Sequence, residues 1–338
     1  MKVMKERSAG FTVDGTEIFL HTLYGTNGFT LTTTNLGAAA VALKLEDGTD
    51  VLLGFGDISK QLEKGPMFGA TLGRYAGKIC SAEYEQWGKK IELSKSHGED
   101  HAHGGCRGFD KRPFHIVSVQ PQLVRYRCVS PDGEEGYPGT LTLDVTYRLL
   151  DGYRIRVEYD YVSDKSTIAG ISNHMYFNLL GNGVGDAAQQ MLSVSADQFQ
   201  SLNAMGKPSG MLESVGGTPM DLREPALLSE RLAQIPGGID HDFVLSSDAA
   251  LPAAILTEPL SGRRLCLWTD MPCLHVYVAD FGHMHYPGKD GAIYNAQCGV
   301  CFEPMYLSDC LHSHLGQLPY LEAGERRHQE TTLQFDRV

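Results

Sequence analysis

Thirteen histidines and a late glutamate are where this 338-residue chain has chemistry to offer. Three histidine pairs have the form His-x-His: His101-Ala102-His103, His283-Met284-His285 and His312-Ser313-His314. On a strand, residues i and i+2 share a face, so such a pair can hold a metal ion. A metal enzyme would also need a nearby carboxylate at ordered spacing, and none of the three pairs has one. The plainer reading is loop and surface histidines, and no metal site is expected. Cys298-Gly299-Val300-Cys301 has the CxxC spacing of a redox pair or half a zinc site. No second CxxC exists and Phe302 continues the apolar run, so both cysteines are expected as unbridged core residues in or beside a buried strand.

Five further segments bring together glycine, polar and aromatic residues. They are Gly69 to Ile79 (with Gly73, Arg74, Gly77 and Lys78), His103-Gly104-Gly105 with Gly108-Phe109-Asp110-Lys111-Arg112, and Asn173-His174-Met175-Tyr176-Phe177-Asn178-Leu179. The last two are Gly237-Gly238-Ile239-Asp240-His241-Asp242-Phe243 and Gly299 to Pro304, which ends an apolar run on Glu303. Taken singly, each could be structural: a His-Gly-Gly turn and an acid at a strand end are both common.

The elements that must position these residues read as strands. Leu141, Leu143, Val145 and Tyr147 alternate with polar residues, and Ile155, Val157, Tyr159 and Tyr161 do the same after Asp151-Gly152. Alternation on both sides of Asp-Gly predicts a hairpin with a type I′ turn, its apolar face packed on a second sheet. Asp14-Gly15, Asp47-Gly48 and Asp132-Gly133 repeat the signal more weakly. Phe29 to Thr34, Ala39 to Leu45, Ile91 to Leu93, Leu265 to Thr269 and Leu274 to Val278 read as short strands. Leu227 to Ile235 is the best helix candidate. Gly181 to Ala187 and Gly282 to Gly291 read as long surface loops. Strand does not alternate with helix as a parallel α/β fold requires. The expectation is all-β: one large antiparallel β-sandwich with few short helices, a single domain over residues 1–338.

In this order, the five segments resemble the aldose 1-epimerase (galactose mutarotase) family, from about Phe68 to Phe335. The His-Gly-Gly-x-x-Gly-Phe-Asp-Lys and Asn-His-x-Tyr-Phe-Asn-Leu segments are highly specific to it. The resemblance implies a large β-sandwich, with His174 as general acid and Glu303 as general base. It implies that His103 and Asp240 hold sugar hydroxyls, with Tyr176 beside the site. Two departures stand out. Where the family usually shows Asn-Arg, this chain has Gly77-Lys78, and Lys78 keeps the charge without the planar fork. Pro304-Met305-Tyr306 stands where a Thr-Gln pair is common. The acid–base pair is intact, and the part of the pocket that reads hydroxyls is altered.

Anomers of a reducing sugar interconvert through ring opening. The C1 hydroxyl must lose a proton while the ring oxygen gains one. One carboxylate and one imidazole satisfy this without a cofactor, each giving about 10²–10⁴ in rate. His103, Asp240 and Lys78 would fix the ring so that the transfers are short. The implied function is an epimerase acting on a free aldose. The alternatives are an epimerase for a sugar other than galactose or glucose, or a non-catalytic carbohydrate-binding protein on the same fold.

Composition excludes other classes. With 29 basic against 41 acidic residues, a net charge of −12 argues against a nucleic-acid binder. No apolar run approaches the roughly 18 residues of a membrane span. The first ten residues show no signal peptide, and eight scattered cysteines suit a reducing compartment. A cytoplasmic monomer or homodimer is expected, with a small-molecule sugar as its partner.

Overall fold

Leu141–Leu150 and Arg154–Ser163 form the hairpin that their alternation predicts, paired from Leu141↔Ser163 to Leu150↔Arg154. The computed structural model describes residues 5–63, 65–281 and 286–338. His283 and His285, and part of the loop expected over Gly282 to Gly291, lie outside them. The hairpin turn is one residue longer than the expected two-residue type I′ turn. Positive φ falls on Gly152 and Tyr153, with Asp151 outside the left-handed pair. Distant contacts hold Tyr153 there: its ring packs edge-on against Phe29 at 5.7 Å, and its hydroxyl donates to Glu46 Oε2 at 2.8 Å.

The hairpin sits within a nine-stranded antiparallel sheet. Its order is His115–Gln120, Leu123–Ser130, the hairpin, Arg326–Arg337, Arg263–Thr269, Ala254–Thr257, Met191–Val194 and Ala226–Leu227. A six-stranded sheet faces it, in the order Tyr176–Phe177, Val300–Met305, Cys273–Val278, Asp240–Leu245, Ala196–Leu202, Pro208–Ser214. A four-stranded sheet, Lys5–Phe11 to Ala40–Lys44, adds to the β-rich body. The main core joins the two large sheets: Leu143, Val145, Val157 and Tyr159 from one, Leu274, Val276, Phe243 and Phe302 from the other. Their burial removes a continuous apolar surface from water, worth roughly 1.5–3 kcal/mol per large side chain.

The expected helix over Leu227 to Ile235 shrinks to Leu228–Leu232. Leu227 is taken by a short strand, pairing with Met191, and the chain turns back at Ile235 to Gly238. No described helix is long and apolar enough to cross a membrane.

The period of two decides where chemistry can sit on the six-stranded sheet. Val300 and Phe302, Leu274 and Val276, and Phe243 enter the main core. The alternate residues Cys301, Glu303 and Met305, His275 and Tyr277, Asp240 and Asp242 therefore share the opposite face.

Candidate active site

Gly69 to Ile79 is the spine that gathers the other segments. His174 donates its backbone N–H to Ala70 O at 2.9 Å, and Gly69 N donates back to His174 O at 2.8 Å. Ser172–Asn173 pairs with Thr71–Leu72, and Asn173 Nδ2 donates to Gly69 O at 2.9 Å. His103 N donates to Gly77 O at 3.1 Å, and Lys78 pairs with Ala102. His103 takes a left-handed φ of 50°, and Gly104 follows at 88°. A Cβ on Gly104 would lie 1.7 Å from Gly73 O, so the His-Gly-Gly turn needs glycine for the two backbones to touch.

These contacts bring His174 to the open face of the six-stranded sheet, beside Glu303. His174 Nε2 approaches Glu303 Oε1 at 3.4 Å, and His103 Nδ1 approaches Glu303 Oε2 at 3.8 Å. The His174 and Tyr176 rings stack at 4.8 Å, and the His103 ring meets His174 edge-on at 5.8 Å. Glu303 is 1% exposed, and its Oε2 is buried without a hydrogen-bond partner. Burial pushes its carboxyl up to about 7, against the pull of His275. Burial, helped by His103, holds His174 well below its usual value, and burial takes His103 down to about 3. Burial thus favours the neutral form of the carboxyl and of both rings.

A second cluster adjoins this pair. His275 bonds Asp240 Oδ1 through Nε2 at 2.9 Å and Asp242 Oδ1 through Nδ1 at 2.6 Å. Asp242 Oδ2 accepts from Ser308 N at 2.6 Å. Burial opposes charge on His275, but the two carboxylates outweigh it and hold the ring well above its usual value. Desolvation would raise Asp240, but His275 beside it keeps its carboxyl well below the usual range. Its side chain is 59% exposed, so it presents an ionised acceptor to the cleft. That cleft measures about 1400 Å³ and is lined by Lys78, His103, His174, Tyr176, Asp240, His275 and Glu303, among others. It exceeds the roughly 300–1,000 Å³ of common small-molecule pockets, so a single sugar ring would fill only its inner end.

A profile of the aldose 1-epimerase family matches residues 20–334. The chain belongs to the aldose 1-epimerase family. The galactose mutarotase of Sus scrofa is 34% identical over 305 residues, covering 88% of this chain and 89% of that protein. The aldose 1-epimerase of Escherichia coli is 32% identical, covering 98% of this chain and 99% of that one. Among solved structures, an aldose epimerase homologue from C. elegans superposes with a TM-score of 0.87 at 26% identity, over 94% of this chain and 98% of its own. A galactose 1-epimerase from Lactobacillus acidophilus gives 0.86 at 25% identity, over 99% and 98%. The chain is thus an isomerase that interconverts the α and β anomers of an aldose.

The six residues expected at this epimerase's site all line one cleft: His174, Glu303, Lys78, His103, Tyr176 and Asp240. The His-x-His pairs do not act as pairs where described. His101 turns away from His103, with Nδ1 on Ser94 O and Nε2 on the Tyr137 hydroxyl, each at 2.7 Å. His312 bonds Asp309 Oδ1 at 2.6 Å. Ligand atoms of His103, His174 and Glu303 do lie within 4.8 Å of one another, as do those of Glu158, His328 and Glu330 on the nine-stranded sheet, and either group could take a cation. Arg74, from the Gly69 to Ile79 segment, is not among the residues that line the cleft. It is buried and donates to Ser130 Oγ and Ser130 O at 2.8 Å, Pro138 O at 3.0 Å, and Gly139 O.

Sequence reasoning missed His275, Asp242 and Cys301. The signal was present in the strand period: His275 shares a face with Tyr277, and Cys301 with Glu303. It also missed how Gly77 and Met305 belong together. A Cβ on Gly77 would lie 2.9 Å from Met305 Cε and 3.2 Å from Ser308 Oγ. The two departures from the family pattern are one packing unit.

Proposed function

We propose that Glu303 and His174 are the base and acid of this epimerase, working on a free aldose without a metal or other cofactor. The observation that carries the reading is the Glu303 Oε2 atom, buried and unpartnered at the inner end of the cleft next to His174. A buried carboxylate oxygen normally has a partner, and a substrate hydroxyl is the partner missing here. With sugar bound, Glu303 takes the proton from O1 and His174 gives its own to the ring oxygen. The C1–O5 bond breaks, its electrons leave with O5, and the O1–H pair becomes the C1=O double bond. Rotation about C1–C2 and the reverse transfers close the ring on the other face. The pair thus carries one proton through the cycle. Burial alone favours that proton on Glu303. A hydroxyl donating to Glu303 and a ring oxygen accepting from His174 both favour moving it to the imidazole.

His103, Lys78 and Asp240 hold the hydroxyls, Asp240 as an acceptor fixed by His275, and Tyr176 walls the site behind His174. The mammalian relatives are named for galactose, but Gly77 and Met305 replace polar side chains with an apolar floor, which supports a displaced sugar preference. Of the three arginines that could hold a phosphate, Arg74 is buried, Arg112 is paired with Glu134 and only Arg107 lines the cleft, so they form no cluster there and a free sugar is favoured over a phosphorylated one. All these groups come from one chain, so a single cytoplasmic domain acting as a monomer or homodimer satisfies the reading.

Polarimetry on a panel of free aldoses tests it. Acceleration over buffer that survives a strong chelator is expected. Glu303→Gln and His174→Asn should each lower kcat by about 10²–10⁴ with little change in affinity. Near-full kcat in a folded Glu303→Gln protein would remove the assignment.

A further inference from the structure

Cys301 lies behind the acid–base pair and does not line the cleft. It is fully buried among Leu53, Phe68, Tyr176 and Phe281. Its Sγ is 3.1 Å from His174 Nδ1 and 3.8 Å from Glu303 Oε1, so one thiol touches both partners. Among the described residues, no other side chain is hydrogen-bonded to His174 Nδ1. From this geometry we propose that Cys301 is a positioning residue whose sulfur accepts from His174 Nδ1–H and whose thiol hydrogen donates to Glu303 Oε1, leaving Nε2 as the nitrogen that gives and retakes the proton. The inference rests on the acid–base reading above.

Two states define the device. With the proton on Glu303 and His174 neutral, the ring keeps its hydrogen on Nδ1 and donates it to the sulfur. That leaves Nε2, the nitrogen that faces Glu303, bare and able to take the proton. With the proton on His174 Nε2, Nδ1–H still donates to the sulfur, and the S–H turns about Cβ–Sγ to donate to Glu303 Oε1, now a carboxylate. No bond to sulfur forms or breaks. Burial holds the thiol well above its usual value, so its hydrogen stays in place through the cycle. A thiol suits this place because it is both weak donor and weak acceptor and stabilises neither proton position strongly. The other groups that face the pair are Tyr176 from the adjoining strand, His275 and Tyr277 from Cys273–Val278, Asp240 and Asp242 from the strand beyond, and His103 from its loop.

Cys301→Ala and Cys301→Ser separate this role from packing. Loss of the hydrogen bond in Cys301→Ala should lower kcat roughly tenfold. KM should stay within about twofold, since Cys301 does not reach the sugar, and the pH limits of kcat should move. Cys301→Ser keeps a donor and acceptor and should recover most of the rate. Wild-type kcat and pH profile in Cys301→Ala would overturn the proposal, as would Ser and Ala variants that fall together. Nitrogen-15 NMR of the unaltered protein gives an independent reading. Neutral His174 should carry its hydrogen on Nδ1, and an Nε2–H tautomer would overturn the proposal. Glu303→Gln separates the two levels: an inactive Glu303→Gln beside an unaffected Cys301→Ala removes only the role of Cys301, whereas an active Glu303→Gln removes the acid–base reading itself.

Discussion

Arg74 and Glu303 are both charged side chains almost wholly removed from solvent, at 2% and 1% exposure, yet the protein treats them in opposite ways. Every nitrogen of the Arg74 guanidinium donates to a backbone carbonyl or a serine hydroxyl. Glu303 has only a weak thiol hydrogen bond on Oε1 and none on Oε2, with the His174 and His103 rings no nearer than 3.4 and 3.8 Å. Burial works against charge in both, and Arg74 keeps its charge because the guanidinium cannot shed a proton under ordinary conditions. Glu303 is free to respond, and its carboxyl rises to about 7. A buried charge with all its bonds made holds the fold together. A buried charge left with an open valence stores a cost that a substrate can relieve.

The largest expected effect tests the second half of that contrast. Removing the base in Glu303→Gln should cost about 3–5 kcal/mol of transition-state stabilisation while the protein stays folded. Combined with His174→Asn, the losses should be far from additive, because the two groups move one proton between them.

Arg74→Met should show the reverse. It strands the carbonyls of Ser130, Pro138 and Gly139. Each orphaned buried acceptor costs about 1–3 kcal/mol, so stability should fall by roughly 3 kcal/mol or more. That would appear in the denaturant midpoint, while the folded fraction keeps its kcat. A stable Arg74→Met protein with lost activity would break the comparison, since Arg74 would then act in catalysis after all.

The open valence of Glu303 also has a stability signature. Its carboxyl is raised from 4.5 to about 7 by burial. As pH rises from 4.5, the unfolded chain ionises first, so this group's contribution is lost through about 7. Shifting one carboxyl by about 2.5 pH units is worth roughly 3 kcal/mol. Glu303→Gln cannot ionise. Its stability relative to the unaltered protein should therefore grow by about that amount between pH 4.5 and 8. Parallel pH profiles for the two proteins would show that Glu303 titrates normally in the fold.

The hairpin at Leu141 to Ser163 and the strand at Leu274 to Val278 were legible because a half-buried sheet imposes a period of two on the sequence. The three-residue turn at Asp151 was not, because it is set by Phe29 and Glu46, more than a hundred residues away. His174 and Glu303 could be singled out only through the order of whole segments. By residue type alone Arg74 is as fit for a site as either, and nothing local says that its donors are spent on carbonyls. The His275 clamp escaped for a related reason. It depends on the register Asp242↔His275 and His275↔Glu303 between strands far apart in sequence. Alternation says which face a residue takes, not which partner it meets there.

The smallest effect concerns the rim of the site, where neither bonded nor open charge decides. Gly77 holds φ at 97°, and the space beside it is filled by the Met305 methyl. Installing an amide alone, as Gly77→Asn, asks a side-chain residue to adopt a left-handed backbone and to displace Met305. That strain should cost about 1 kcal/mol of stability, and the amide would be misplaced for reading a hydroxyl. Gly77→Asn with Met305→Gln removes the obstructing methyl and supplies a second polar group. The double variant should shift kcat/KM toward galactose over other aldoses by roughly fivefold, about 1 kcal/mol, whereas the single variant leaves the ratio among sugars nearly unchanged. Lys78→Arg added to the double should extend the shift, because a planar fork can hold two oxygens where an ammonium holds one. Equal sugar ratios in the unaltered, single and double proteins would show that the Gly77–Met305 unit packs the wall without reading the substrate. The selectivity of the site would then rest on the ionised Asp240 and the groups around it.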